Sequence, residues 1–245
     1  MKQTFLALVL SSICGASLAA QPLTQVEQNV FKALVSEDMS VLRSGGESFF
    51  LPKGTIVSTV SEIEKAFVGN ELKGNKQYKD KYVLVDGKVG EVMVGALDRV
   101  EVTLKGGKNM FLPPVATFIP QDEQKNLLAD LEKNQKITLI CKCNGMSAGL
   151  LRFTGCQFPS FYAERVEKRI NNALNSFRNG TTGDVRVDGL LKNIVAITAL
   201  MTDEQKAQCT DLPNSLKVFS KVSANFSPET MNDPRVKARF KDLGF

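Results

Sequence analysis

Cysteines at 141, 143, 156 and 209, a lysine run at 73–81 and a complete lack of histidine bound the chemistry open to this chain. Without imidazole there is no Ser-His-Asp or Cys-His nucleophile, no histidine general base and no histidine-bound metal. Glu91, Asp98 and Glu101 are scattered among lysines, and no two carboxylates stand out as an acid and base pair. An S-x-x-K nucleophile motif is absent. Cys141-Lys142-Cys143 is not a metal spacing, and it lacks the helix N-terminus that would lower a thiol pKa. These absences predict a protein with no metal, no cofactor and no catalytic residues, which acts by binding. An exported hydrolase working through carboxylates is the alternative.

Lys73, Lys76, Lys79 and Lys81, with Tyr78 between them, could follow an anionic chain. A solvated approach to a strand, with Tyr78 packed inward, is the competing interpretation of the same residues. Arg99 and Phe111 fall on two later strand patterns and complete the predicted ligand-binding set. The formal net charge of +5 is modest, and tryptophan is absent. Aromatics make up only 7% of the chain, too few for a protein that stacks bases, so nucleic acid is disfavoured as partner. An envelope protein or an oligomeric ligand is expected instead.

The elements around these residues begin with an export signal. Lys2 precedes the apolar core from Phe5 to Leu10, and Ser17 and Ala19 suit a cleavage site, giving a mature N-terminus at Ala20 or Gln21. No internal stretch reaches the roughly 20 apolar residues of a membrane span. A periplasmic or secreted location follows, and with it an oxidising environment. Cys14 lies in the signal, so four cysteines remain, with three possible connectivities. Cys141 and Cys143 point the same way along one strand and bridge poorly to each other. Strict alternation places Cys156 on the Arg152 face, where it would sooner meet Cys209, whereas a bulge at Gly155 would bring it inward. The expected bridges are Cys143 with Cys156 and Cys141 with Cys209.

Residues 21–58 form an N-terminal helical addition, in which Thr24 and Glu27 have capping-box spacing ahead of a helix to Leu34. Gly45-Gly46 breaks the chain, and Phe49-Phe50-Leu51 follows as a strand or anchor. Thr59 and Glu62 box a second short helix, ending near Gly69-Asn70. Strand patterns then occupy Tyr82–Val94, Arg99–Leu104, Met110–Leu112, Lys136–Cys143 and Leu150–Phe158, with an amphipathic helix at Gln121–Lys133. Five strands with a helix between the third and fourth are the order of an OB-fold barrel. Residues 59–158 are therefore the OB-fold domain, and residues 159–245 an α-rich C-terminal region. The fold class is α+β.

The runs 62-EIEKAFVGNELKGNKQYKDKYVLVDGKVGEV-92 and 127-LLADLEKNQKITLICKCNG-145, closing with 150-LLRFTGC-156, resemble the tRNA-anticodon-like (tRNA_anti-like) OB-fold family of exported bacterial proteins. The chain departs from that pattern at Asn134-Gln135, where Gly is expected beside Lys, and at Cys141, where Gly is usual. The resemblance spans residues 59–158, implies the barrel, and names no ligand.

Overall fold

The computed structural model describes residues 22–95, 99–105, 112–120, 122–177 and 181–245. Helix α1 (Gln25–Arg43) begins at the expected box: Thr24 Oγ1 accepts from the Glu27 amide at 3.3 Å, and the Thr24 amide donates to Glu27 Oε2 at 2.6 Å. It continues past Leu34 to Arg43 and stops at Gly45, whose φ of 82° only glycine adopts readily. Phe50 and Leu51 serve as an anchor. Both are buried, and the Phe50 carbonyl accepts from Tyr162 Oη and Arg186 Nη1.

A short strand, β1 (Ile56–Thr59), leads into α2 (Val60–Gly69), whose Thr59–Glu62 box is fully formed. The lysine run is then mostly helical: α3 (Glu71–Tyr78) is capped by the Asn70 side chain, which accepts from the Lys73 amide. The barrel strands are β2 (Tyr82–Val94), β3 (Val100–Lys105), β4 (Val115–Phe118), β5 (Lys136–Ser147) and β6 (Leu150–Gln157), with α4 (Asp122–Ala129) between β4 and β5. The first half of β2 pairs antiparallel with β5 and its second half with β3. Antiparallel β3–β4 and β5–β6 pairs and a parallel β4–β6 pair close the ring. This is the expected five-stranded OB barrel in an α+β chain, with β1 added parallel to β2.

Two strand assignments need correction. The third barrel strand follows Pro113-Pro114 instead of preceding them; Met110 and Phe111 lie outside the described residues. Val115–Phe118 can pair because neither proline, which lacks an N–H, falls within it. The fourth strand does not turn at Asn144-Gly145 but runs on to Ser147, shifting its register against β6 between Cys143 and Gly145.

The C-terminal region is α-rich, with helices α5 (Pro159–Asn175), α6 (Val185–Leu200), α7 (Asp203–Ala207), α8 (Leu212–Ser223) and α9 (Pro234–Leu243). Two cores result. Val83, Val85, Leu139 and Cys141 point into the barrel. Leu84 and Ile140, on the other face of the same two strands, belong to a second core with α1, α5, α6 and α8. Buried Glu27 in α1 meets Arg239 of α9 through two hydrogen bonds of 2.9 and 2.7 Å, which fasten the last helix.

The disulfide connectivity differs from the expected one. Cys141 bonds Cys156, while Cys143 and Cys209 are free and buried. On β6 the pairing slips between Gln157 and Thr154, leaving Gly155-Cys156 opposite Cys141 alone. Gly155 takes a φ of 60°, so the bulge at that position turns Cys156 inward, and the residue it faces is Cys141. Cys209 packs in the helical core, across the β2–β5 wall from the barrel interior. Cys143 stays inside the barrel, paired in register with Phe153.

Candidate functional site

The predicted ligand-binding residues are dispersed by the fold. Lys73, Lys76 and Lys79 are exposed on and just after α3. Tyr78 is buried; its ring lies 6.4 Å from that of Phe67, and its hydroxyl accepts from Gln77 Nε2 at 2.9 Å. It offers no face for a ligand to stack on. The Lys81 ammonium caps the C-terminus of α3, donating to the Lys76 and Gln77 carbonyls at 2.9 and 2.8 Å, where a cation also meets the negative end of the helix dipole. Arg99 is exposed at the start of β3, next to the far end of β2, whereas α3 adjoins the beginning of β2. Arg99 and the lysine run therefore do not converge. Phe111 lies outside the described residues.

The residues that do converge are three other lysines. Lys88 on β2 stands directly opposite Lys105 on β3 and directly opposite Lys136 on β5. Their strand neighbours Val89, Leu104 and Ile137 fill the barrel, so alternation turns all three lysines to its outer wall. Neighbouring strands lie about 4.8 Å apart, which makes a compact cationic row. Like charges directly opposite one another on a sheet destabilise it. The row is thus a local cost that packing does not explain.

Its surroundings form a cleft of about 660 Å³, bordered by the start of α2 at Val60 and Ser61. The helix can lie so close because residue 87 is glycine: a Cβ there would stand 2.9 Å from Val60 Cγ2. The positive end of the α2 dipole here is offset by the Glu62 carboxylate in its own capping box. The Lys105 ammonium donates to Asn134 Oδ1 at 2.8 Å, while neither Lys88 nor Lys136 pairs with a carboxylate among the described residues. Asp86 is the single carboxylate on the cleft wall, and it accepts from Thr138 Oγ1 at 2.6 Å. Glu62 is turned away into the α2 capping box. The Thr59 amide, then the Ser58 and Thr59 hydroxyls, hold its carboxyl below the usual range. A second hollow of about 300 Å³ shares Lys136, Ile137 and Thr138 with the first and reaches the start of α5 at Pro159 and Ser160. The α5 N-terminus has no side-chain cap and no acidic residue in its first turn.

Such a surface is complementary in charge to anions. Among the described residues its lining holds no pair of carboxylates such as a hydrolase uses, and no metal-binding cluster occurs. Lys88 and Lys136 fall within strands read from the sequence, and Lys105 one residue past the end of the second. Their meeting depends on the β2–β3 and β2–β5 registers, which the sequence does not display.

Comparison with known proteins places this barrel. The tRNA_anti-like family profile matches residues 1–156, well over half of the chain. The chain belongs to the tRNA_anti-like family. The match extends beyond the 59–158 span of the motif resemblance and takes in α1 of this tRNA_anti-like protein. Among solved structures, it is similar to a Klebsiella pneumoniae lipoprotein proposed to bind nucleic acid, at 15% identity and a TM-score of 0.34, over 42% of this chain and 91% of that one. No curated protein matches. No helix among the described residues is long and apolar enough to cross a membrane.

Proposed function

We propose that this tRNA_anti-like protein is a non-catalytic, exported binding protein that seats an anionic ligand in the Lys88–Lys105–Lys136 cleft. The observation that carries the reading is the lysine row itself. Two of its three ammonium groups lack a carboxylate partner among the described residues, although the register sets them directly beside like charge. With Asp86 the wall carries a formal +3 − 1 = +2. Family membership supports a binding role. The signal-like N-terminus and the buried Cys141–Cys156 bond support an oxidising compartment outside the cytoplasm. The carboxylate-hydrolase alternative has less support, because among the described residues Asp86 has no second carboxylate on the cleft wall.

The test compares Lys88→Glu/Lys136→Glu with Lys217→Glu/Lys221→Glu, an equal charge change on exposed positions of α8. Fluorescence anisotropy against a panel of labelled polyanions should show binding lost in the first variant and kept in the second. Equal loss in both would reduce the effect to net charge and refute the cleft.

A further inference from the structure

We infer that the anion this cleft takes is a linear oligophosphate, gripped along its length without base stacking; the inference rests on the anion-binding reading above. Three features set the class. The first is shape: Lys136, Lys88 and Lys105 lie in a row across three adjacent strands, spanning roughly 10 Å at the usual strand spacing. The two hollows that share Lys136 and Thr138 continue that line from the start of α2 to the start of α5. A chain of charges fits this track better than a compact anion does.

The second is donor chemistry. The cations of the first cleft are ammonium groups, compact point charges that suit tetrahedral phosphate oxygens, and the one guanidinium among the described residues of the second hollow, Arg43, is already bonded to the Glu167 carboxylate at 2.6 Å. Phosphates are also favoured at the positive ends of helices, and the uncapped start of α5 stands at one end of the track. The third feature is what the walls lack. Among the described residues no aromatic side chain lines the larger cleft. On the smaller one Phe158 is stacked on Phe118, with centroids 5.8 Å apart. Single-stranded nucleic acid draws much of its affinity from bases stacked on aromatic faces, and the described residues of this track offer no free ring.

Isothermal titration at fixed ionic strength would compare inorganic polyphosphate, an abasic and a thymidine oligonucleotide of matched charge, and a heparin-derived oligosaccharide. Polyphosphate is expected to bind. Lys88→Ala/Lys136→Ala should weaken it by about tenfold or more, the scale of losing one charge-assisted hydrogen bond. Lys217→Ala/Lys221→Ala should leave it unchanged. The cleft variant should melt no lower than the parent, because it relieves like-charge contact, and so reports binding in a folded protein. Tighter binding of the thymidine strand than of its abasic counterpart would overturn the inference in favour of nucleic acid. Binding of the sulfated oligosaccharide alone would overturn it while leaving the anion-binding reading in place. If none of the four bound, both would fall.

Discussion

Removing the Cys141–Cys156 bond by substituting both residues with alanine should cost this protein a large share of its stability. The two cysteines are 15 residues apart in sequence. In the chain-entropy account a closed loop of that size is worth about 3 kcal/mol at 25 °C, through the freedom it denies the unfolded chain. Both side chains are fully buried, so alanine also forfeits a little packing. Against the 5–15 kcal/mol typical of folded domains, that is a loss of roughly a fifth to three-fifths. For a chain of this size it should lower the melting temperature by about 6–12 °C. Differential scanning calorimetry of the parent with and without reductant, beside the double variant, measures it. Reductant should bring the parent close to the variant and leave the variant unmoved. Burial pushes the Cys143 and Cys209 thiols up, so both should resist alkylation in the native protein. In denaturant without reductant they should be the two thiols labelled among residues 22–245. A parent indifferent to reductant, or peptide mapping that recovered Cys143–Cys156 or Cys141–Cys209, would refute the assignment.

Arg239→Met should destabilise by about 3 kcal/mol in urea unfolding, because Glu27 is left buried with only the Thr24 amide as partner. Gly45→Ala should cost about 1–2 kcal/mol from its positive φ, and more from a Cβ set 3.0 Å from Thr138; Gly54→Ala, at a φ of 79° with nothing within 4 Å, should show the backbone part alone. For Asp188, burial opposes ionisation but is outweighed by hydrogen bonds from Thr182 and Thr181, so its pKa lies below the ordinary carboxylate value. The stabilisation is therefore present above the unfolded pKa and is lost as pH falls through the lower folded one. The exchange protection factor at Thr182 should fall in that acid range, and Asp188→Asn should remove that fall.

What the sequence made legible was mostly local. The capping boxes at Thr24 and Thr59 both form, because each needs only two side chains a turn apart. Ile137, Leu139, Cys141 and Cys143 share the barrel interior as their alternation required. Helix α8 was missed although Asp211 and Pro213 mark its start, and β1 was missed because four residues carry little periodicity. The lysine run, read as a ligand-binding set or as an approach to a strand, is largely the helix α3, capped by Asn70. The site was hidden for a different reason. Neighbouring lysines in sequence drew attention to 73–81, where the fold spends Lys81 on a helix end and buries Tyr78. The lysines that meet lie at 88, 105 and 136, and only the strand register brings them together.

Leu84 and Ile140 stand on the outside of a barrel, yet both are buried. The β2–β5 pair is thus a party wall with a finished room on each side. Neither room can be vacated cheaply: a fragment cut at residue 156, where the family match stops, would keep every barrel strand except the last residue of β6 and still lay these two side chains open to water. A boundary drawn where sequence likeness ends would pass through the middle of one building. The wall also guards its own register, because sliding β2 by one residue would send Leu84 into the barrel and Val83 and Val85 out, disordering both cores at once.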